Sequence, residues 1–373
     1  MKKKALQVVN IPFVLPYYFG DQILFLKQNE IEISIACSPG PELNNFCSKY
    51  NIAGYPVDIL RKIDLLTDIL SLFKLIKIIK KEKFDYVIGH TPKGALLSML
   101  AAKITGVKNR IYFRHGIVYE TSFGLKRSLM VCLEKVTSWC STKIISVSNS
   151  VQKYSEKERI NSIDKSIVLN KGTCNGVNLD RFDKSVPTDI NFDLSLEGSF
   201  VVGYVGRLVN DKGIKELIEA WDLVKNKIPK SKLLLVGPYE ERDSLPDMIK
   251  DKIINDISII HTDLVNDTVP FYKEMDVFIL PSYREGFPTV VLEASAMELP
   301  VITTKSTGCI DSIIENETGV YANINALSIS EKILYYFNNP AVRSFHGRNG
   351  RKWVKENFDQ NIVWQFILKD IFN

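Results

Sequence analysis

The sequence alternates short apolar runs with longer amphipathic segments, and this alternation occurs in two separate series. In the first series, the predicted strands cover 5–10, 32–37, 85–90, 110–114 and 143–148. Helical patterns lie between them near 18–28, 64–82, 93–105 and 124–139. Strands that alternate with helices are typical of a parallel sheet covered on both faces. The first series therefore predicts a doubly wound α/β domain.

The second series begins after a polar, turn-rich segment at 171–198, which is interpreted as a linker. Its predicted strands cover 200–206, 232–237, 276–280 and 300–304, with helical patterns at 212–227, 267–274 and 289–298. The tail at 340–373 has the pattern of two helices. We therefore predict an α/β fold with two doubly wound Rossmann-like domains, 1–180 and 181–357, and a final helix at 358–373 that returns to the first domain. Ligands are expected in a cleft between them, at the carboxyl ends of the strands.

Composition indicates an ordinary globular protein and argues against nucleic-acid binding. With 373 residues, 45% hydrophobic and 24% charged, the chain has ordinary globular composition and room for two domains. A net charge of +5 suits phosphate-bearing ligands or an anionic membrane surface. The basic residues are not interleaved with aromatic residues in a stacking pattern, which argues against nucleic-acid binding.

The cysteines and the N-terminal segment indicate in which cellular compartment the protein is expected. Six cysteines are scattered without a C-x-x-C pair, which favours reduced thiols over disulfides or a metal site. Polar residues and prolines interrupt the apolar run near the N-terminus, so the run predicts a first strand and not a signal peptide. No stretch reaches the roughly 18 uninterrupted apolar residues of a membrane span. We expect a soluble or peripheral cytoplasmic protein.

The segment GYVGRLVNDKGIKELIEAW at 203–221 runs from a predicted strand through Gly206 into a helix. Arg207 and Lys212 would lie beside the helix N-terminus, where cations and backbone N–H groups favour anions. The spacing is not that of a P-loop, and neither domain carries the G-x-G-x-x-G spacing of dinucleotide binding. Solvated charges next to a strand end remain an equal alternative on this local pattern.

The segment LPSYREGFPTVVLEASAMELPVITT at 280–304 places Glu285 on a loop and Glu293 inside a helix. Pro288 lies near the first turn of that helix, and the N–H groups of Phe287 and Thr289 are free for a ligand. Two nearby carboxylates suit a glycosidase, with one acid and one nucleophile or base. They also suit ligand-holding groups, or two solvated charges, and the spacing does not decide between these.

Taken together, these motifs resemble the retaining glycosyltransferases of family 4, whose fold is the two-Rossmann arrangement called GT-B. The resemblance is carried by the two glutamates at a strand–helix turn with G-R-L…D-K-G upstream, and by further matching stretches. These are SPGPEL (38–43), HTPKGALLSMLAAK (90–103), YFRHG (112–116), SVSNS (146–150), GTCNGVNLDRF (172–182), LPSYREGFPTVVLEA (280–294) and STGCIDSI (306–313). The chain is most similar to bacterial capsule, O-antigen and N-glycan-type transferases that act on polyprenyl-diphosphate-linked sugars.

The resemblance implies a role for each matching residue. Arg207 and Lys212 would bind the donor diphosphate, and His115 would contact the transferred sugar. Glu285 would hold that sugar, and Glu293 would accept hydrogen bonds from the ribose. The implied catalytic set is His115, Arg207, Lys212 and Glu285. The implied donor-binding set is Gly206, Gly286, Phe287, Pro288, Thr289, Val290 and Glu293. No cofactor or metal is expected, since no Asp-x-Asp motif occurs and the two cations would stabilise the leaving diphosphate.

A basic amphipathic pattern at 64–83 and a second at 124–135 suggest contact with an anionic membrane. Ordinary sheet-covering helices with cationic C-terminal ends are the alternative interpretation. The candidate acceptor or membrane residues are Lys74, Lys77, Lys80, Lys81, Lys93, Lys126 and Arg127. His90, His261 and His346 are interpreted as structural or surface residues.

The sequence therefore predicts a retaining, nucleotide-sugar-dependent hexosyltransferase. It would move a hexose or N-acetylhexosamine, with UDP as the expected nucleotide, onto a lipid-diphosphate-linked saccharide in surface polysaccharide or glycan assembly. Its expected location is the inner face of the cell membrane. A transferase with a soluble sugar acceptor, or a non-catalytic nucleotide-sugar-binding scaffold, remains the alternative.

Overall fold

The computed structural model describes residues 2–62, 64–187 and 196–373, so part of the predicted linker at 171–198 lies outside the described residues. The chain divides into two compact units, Met1–Asn175 with Asn361–Asn373, and Gly176–Gln360. The sequence predicts divisions at 180/181 and 357/358. Each unit is built on one parallel sheet.

The first unit contains a seven-stranded sheet with the order β3-β2-β1-β4-β5-β6-β7, and all its paired strands are parallel. The strands are β1 (Lys3–Val8), β2 (Ile31–Cys37), β3 (Ala53–Pro56), β4 (Tyr86–His90), β5 (Asn109–Arg114), β6 (Lys143–Ser146) and β7 (Ser166–Val168). The helices are α1 (Leu15–Tyr18), α2 (Gln22–Gln28), α3 (Pro41–Tyr50), α4 (Leu65–Glu82), α5 (Pro92–Ile104), α6 (Gly124–Cys140) and α7 (Asn149–Lys157).

The second unit contains a six-stranded parallel sheet with the order β10-β9-β8-β11-β12-β13. The strands are β8 (Phe200–Val205), β9 (Ser231–Val236), β10 (Ile259–Thr262), β11 (Val277–Leu280), β12 (Val301–Thr303) and β13 (Gly319–Tyr321). The helices are α8 (Ile214–Lys225), α9 (Asp247–Asn255), α10 (Val269–Lys273), α11 (Thr289–Ala296), α12 (Ala326–Asn338) and α13 (Pro340–Asn357).

The strands are buried according to their position in the sheet. Every residue of the central strands β4 and β8 is buried, because helices cover both faces of each sheet. The strands that the sequence did not predict are β3, β7, β10 and β13. All four lie at sheet edges and have only three or four residues, so they lack the long apolar run of a central strand.

The C-terminal helix α14 (Gln360–Ile367) and the π-helical turn Leu368–Phe372 end the chain in the first unit. The indole Nε1 of Trp364 donates to Oδ1 of Asn175 at 2.8 Å, and its ring lies 5.7 Å from that of Phe25. The ring of Phe372 lies 5.0 Å from that of Tyr86 on β4. These contacts confirm the prediction that the last helix returns to the first domain.

No helix in the described part of the chain combines the length and the apolar composition that crossing a bilayer requires.

Candidate active site

The connection from β8 to α8 begins at a point where two strand ends approach closely. Gly206 follows β8 with a φ of +149°, and Gly237 follows β9 with a φ of +135°. A Cβ atom on Gly237 would overlap the carbonyl oxygen of Gly206, and one on Gly206 would lie 2.8 Å from the Tyr204 hydroxyl. The glycines therefore leave the backbone open at the carboxyl ends of neighbouring strands, where parallel sheets bind ligands.

Lys212 ends a short 3₁₀ turn, Asn210–Lys212, and is followed by Gly213 in the left-handed region. A Cβ atom on Gly213 would overlap the carbonyl oxygen of Pro281, which follows β11. The connection after β8 and the connection after β11 are therefore in direct contact. Because α8 begins at Ile214, the turn also places Lys212 at the helix N-terminus, as predicted.

The two connections also meet through an ion pair between Nζ of Lys212 and Oε1 of Glu285. The Lys212 and Glu285 side chains are only 17% and 14% exposed. The backbone N–H of Glu285 donates to the Thr307 carbonyl at 2.8 Å, and a Cβ atom on Gly308 would lie 2.5 Å from the Glu285 carbonyl oxygen. Glu285 is thus held from the β12 side as well.

Arg207 has a different environment from Lys212. Its side chain is 54% exposed and pairs with the carboxylate of Glu240, beyond β9. Its carbonyl oxygen accepts a hydrogen bond of 2.8 Å from the buried Tyr204 hydroxyl. The backbone of Arg207 is therefore fixed while its guanidinium reaches solvent, where its five donors can serve an anion and Glu240 together.

The elbow before α11 leaves backbone donors available. Pro288 caps α11 in an extended conformation, and the ring of Phe287 packs 5.3 Å from that of Phe358. Within the described ranges, no protein acceptor takes the N–H of Gly286 or Phe287. The first turn of a helix has no internal acceptors, so Thr289 and Val290 add two further donors. The elbow is thus suited to an anionic or hydroxyl-bearing ligand.

Glu293 lies in the second turn of α11, and its Oε2 accepts a hydrogen bond of 2.9 Å from the Tyr272 hydroxyl. Burial raises the pKa of the Glu293 carboxyl above its ordinary value, and the bond from Tyr272 opposes that rise. The same hydroxyl lies 3.3 Å from the Val290 carbonyl oxygen. Sequence reasoning missed Tyr272, which the short apolar helix α10 gives no reason to single out.

His115 belongs to the first unit and follows β5 directly. The Tyr18 ring stacks on it with a centroid distance of 3.9 Å and an interplanar angle of 2°. Its Nε2 lies 2.8 Å from Nδ1 of His90, whose Nε2 lies 2.7 Å from Oε1 of Gln7. Burial lowers the pKa of His115 to about 3. Sequence reasoning missed Gln7, although a glutamine inside an apolar strand is a usable signal.

The predicted site residues form three separate groups: those around Lys212 and Glu285, Glu293 with its partner Tyr272, and His115. Lys212 and Glu285 are in contact, and Gly206, Arg207 and the α11 elbow surround the same strand ends of the second unit. The carboxylates of Glu285 and Glu293 have different partners, Lys212 and Tyr272. His115 lies in the other unit. In the part of the chain described, no three His, Cys, Asp or Glu side chains are grouped to hold a metal ion.

The candidate membrane or acceptor residues differ in whether their charges are exposed or held in ion pairs. Lys74, Lys77, Lys80 and Lys81 are exposed on α4. Lys93 is instead bound to Asp68, with a 2.8 Å ion pair and both side chains largely buried. Lys126 is exposed on α6, whereas Arg127 pairs with Glu158 at 2.6 Å. Only the α4 lysines and Lys126 therefore present their charge to the surroundings.

Two family models match the chain. Residues 187–353 match "Glycosyl transferases group 1", and residues 9–148 match "Glycosyl transferase 4-like".

Individual relatives match almost the whole chain. A Staphylococcus aureus protein described as capsular polysaccharide biosynthesis glycosyltransferase CapM is 34% identical, over 100% of this chain and 97% of the relative. An Escherichia coli UDP-Gal:alpha-D-GlcNAc-diphosphoundecaprenol alpha-1,3-galactosyltransferase is 27% identical, over 96% of this chain and 95% of the relative.

A crystal structure of Anabaena Alr3699/HepE in complex with UDP superposes with a TM-score of 0.82, at 16% identity and with full coverage of both chains. This likeness and the two parallel sheets confirm the predicted GT-B fold class.

Proposed function

The chain belongs to glycosyltransferase family 4, and from that premise we propose that it transfers a hexose or N-acetylhexosamine from a UDP-sugar, with retention of configuration, to a lipid-diphosphate-linked saccharide. As a member of this family it is an enzyme, so the scaffold and glycosidase alternatives are set aside. What the proposal adds is the donor, the acceptor and the stereochemistry.

The observation that carries the proposal is the contact between Lys212 and Glu285 at the mouth of the second sheet. An ammonium group has three donors, so Lys212 can hold Glu285 with one N–H and a phosphate oxygen with another. Breaking the sugar–diphosphate bond builds negative charge on the leaving phosphate. A largely buried cation beside a helix N-terminus stabilises that charge more than it stabilises the intact donor.

We assign each part of the nucleotide-sugar donor to a different set of residues. We assign the diphosphate to Lys212 and the exposed guanidinium of Arg207, and the transferred sugar to Glu285 and the N–H groups of the α11 elbow. The ribose hydroxyls would donate to Glu293, whose second oxygen is free to accept them because Tyr272 occupies Oε2. His115 would contact the sugar from the first unit.

UDP and a lipid-linked acceptor are supported by the relatives. The Escherichia coli protein uses UDP-galactose and a diphosphoundecaprenol-linked sugar, as its description states, and aligns with nearly the whole chain. The Staphylococcus aureus protein acts in capsular polysaccharide biosynthesis. We propose the same donor nucleotide and acceptor class, and a role in surface polysaccharide assembly.

We further propose that the two cations replace a divalent metal in charge stabilisation. Arg207 and Lys212 supply two positive charges where the diphosphate would lie. Transfer is therefore expected to proceed at an unchanged rate in the presence of excess EDTA. A rate that falls with chelation and returns with Mg²⁺ would contradict this assignment.

A peripheral position on the inner membrane face is supported by one surface of α4. Its N-terminal half exposes five large apolar residues, each 50–73% exposed: Leu65, Leu66, Ile69, Leu70 and Phe73. Its C-terminal half exposes the lysines at 74, 77, 80 and 81, on the same side of the helix. Of the two acidic residues of α4, Asp68 is largely buried in its ion pair with Lys93, and Glu82 is half-buried. An apolar surface edged by cations complements an anionic bilayer, where the lipid acceptor resides.

The test is a transfer assay with the full-length protein. UDP-galactose, UDP-glucose, UDP-N-acetylglucosamine, UDP-N-acetylgalactosamine and their GDP counterparts are each incubated with undecaprenyl-diphosphate-linked N-acetylglucosamine or with free N-acetylglucosamine. Product mass identifies the donor, and proton NMR of the anomeric centre identifies the linkage. We expect an α-linked product on the lipid-linked acceptor only. Product on free sugars alone would overturn the lipid assignment, and a β-linked product would overturn retention.

A further inference from the structure

Three neighbouring strands of the first unit bring a chain of buried polar side chains to His115. Gln7 lies on β1, His90 is the last residue of β4, and His115 follows β5. The residues Gln7 and His90 are each only 3% exposed. Burying polar groups is costly unless they are hydrogen-bonded, and here each link is a short contact, 2.7 Å and then 2.8 Å.

The chemistry of these groups sets the direction of the hydrogen bonds. The Gln7 amide is oriented with Oε1 towards His90, and in this orientation the oxygen accepts, so Nε2 of His90 carries the proton. A neutral imidazole carries one proton, so Nδ1 of His90 then accepts, and Nε2 of His115 must donate to it. This leaves Nδ1 of His115 as an unprotonated acceptor.

The surrounding rings and the low dielectric keep both imidazoles neutral and oriented. Tyr18 stacks on His115, while Phe19 and Phe113 pack against His90 at 5.1 and 5.3 Å. Burial is the main cause that lowers the pKa of both histidines, and for His90 the neighbouring His115 lowers it further. Both imidazoles are therefore neutral at neutral pH, and the hydrogen bonds with Gln7 and between the two rings select their tautomers.

We propose that Gln7 and His90 are positioning residues that fix the tautomer of His115, so that its Nδ1 accepts a hydrogen bond from a hydroxyl group of the transferred sugar. This inference rests on the proposed function, in which His115 contacts that sugar. A neutral acceptor favours a hydroxyl donor and disfavours a phosphate oxygen, which has no proton to give. The three residues thereby favour a sugar hydroxyl over a phosphate oxygen as the hydrogen-bond partner of His115.

The tautomer can be measured without any substrate. Histidine labelled with ¹⁵N in the full-length protein reports, from the ¹⁵N chemical shifts and their couplings to ring protons, which nitrogen carries the proton. We expect a proton on Nε2 and none on Nδ1 in both His90 and His115. A proton on Nδ1 of His115 overturns the proposal. This result does not depend on turnover, so failure of the proposed function is distinguishable from failure of the inference.

Matched variants of His90 separate positioning from packing. Asparagine and leucine have nearly the same shape, but the Asn amide oxygen can replace the Nδ1 acceptor. We expect His90→Leu to lower kcat/KM for the active UDP-sugar by roughly tenfold, the value of about one hydrogen bond in a buried site. His90→Asn should recover most of the loss. Equal losses in the two variants, or no loss in either, would overturn the proposal.

A second pair at Gln7 tests the link farther from His115. Gln7→Glu places a carboxylate against Nε2 of His90, which favours the imidazolium and should move the acid limb of the pH–rate profile to higher pH. Gln7→Met removes the acceptor and should leave a mixture of His115 tautomers in the ¹⁵N spectrum. An unchanged profile in Gln7→Glu together with an unchanged spectrum in Gln7→Met contradicts the inference.

Discussion

Lys212 and Glu285 lie 73 residues apart in the sequence and form one ion pair between two strand–helix connections. Both side chains are largely buried, and each is held by backbone that cannot easily shift. Lys212 follows β8, whereas Glu285 follows β11, which is the adjacent strand in the sheet. Adjacent parallel strands deliver both residues to one edge, so the pair is a direct result of the sheet order.

Lys212→Ala should lower the rate of transfer by about 100- to 1,000-fold, the usual effect of removing one group that stabilises developing charge. Lys215→Ala is the matched control, because Lys215 lies one turn away, is half-exposed and makes only a 4.0 Å contact with Glu219. Rates are measured by UDP release under saturating donor, and the free energy of unfolding is measured in urea for both variants. A Lys212→Ala enzyme that folds and keeps more than a tenth of the wild-type rate would contradict the assigned role.

Gly213→Ala should destabilise the second unit by more than the roughly 1–2 kcal/mol that a side chain costs in the left-handed region. The φ of Gly213 is +70°, and the added Cβ would overlap the Pro281 carbonyl oxygen. Gly198→Ala is a closely matched control, since its φ is +66° and, among the described residues other than its chain neighbours, none has an atom within 4 Å of its Cβ position. Urea unfolding of the two variants isolates the steric contribution, and equal losses would show that the two connections do not press together.

Glu293→Gln should weaken donor binding and stabilise the protein at neutral pH. The folded-state pKa of Glu293 is raised, so the folded protein binds a proton more readily than the unfolded chain, and its stability falls as pH rises through that interval. The neutral amide removes this cost, while the lost charge-assisted hydrogen bonds raise KM for the donor by about tenfold or more.

Urea unfolding across a pH series and KM for the UDP-sugar measure the two effects of Glu293→Gln separately. Tyr272→Phe is the companion variant, because it removes the hydroxyl that lies 2.9 Å from Oε2 but keeps the carboxylate. It should raise the pKa of Glu293 further and cost less in KM than Glu293→Gln. A Glu293→Gln variant with unchanged KM would remove Glu293 from the donor site.

The histidines of the first unit should make the protein sensitive to acid. The pKa of His115 falls from the ordinary 6.5 to about 3 on folding, and that of His90 also falls. The unfolded chain therefore takes up protons below pH 6.5 that the folded chain does not. Stability is lost as pH falls, by at most about 1.4 kcal/mol per pH unit for each histidine. The pH dependence of urea unfolding should be shallower in His115→Asn, and an equal slope between pH 6.5 and 4 would contradict the shift.

The features of the fold and of the candidate site that depend on neighbouring residues were predictable from the sequence, and those that depend on contacts between distant residues were not. The central strands were predictable because a buried parallel strand is a continuous apolar run, whereas the edge strand β3, with the sequence AGYP, is mostly exposed and carries no such signal. The positions of Lys212 and Glu285 in strand–helix connections were predictable because such connections have local sequence motifs. Their contact was not, since it depends on which strands are neighbours.

The partners of the site residues were the least predictable part. Gln7 and His90 are 83 residues apart in the sequence and lie on the neighbouring strands β1 and β4. Nothing in the sequence near either residue identifies them as partners. The membrane candidates show the same limit. Lys93 has the right charge but is bound to Asp68, and the apolar residues of α4 occupy all its sides in sequence. Only packing against the sheet determines which of them remain exposed.

Vesicle binding should depend on the exposed apolar residues of α4 as well as on its lysines. Leu66→Ser with Leu70→Ser should weaken binding to mixed phosphatidylcholine–phosphatidylglycerol vesicles by more than about tenfold, because burying one leucine side chain is worth about 1.5–3 kcal/mol. Ile254→Ser with Ile257→Ser is the control, since these residues are 72% and 89% exposed but lie in the second unit.

The charged half of α4 is tested separately by Lys77→Gln with Lys81→Gln, which should remove about 1 kcal/mol of binding per lysine. This loss should vanish in high salt, whereas the loss from the leucine variant should persist, because apolar burial is not screened by ions. Flotation of the full-length protein with vesicles measures both. Binding that is equally strong on pure phosphatidylcholine would remove the lysines from the proposal, and a leucine variant that floats like the control would place the membrane contact on another surface.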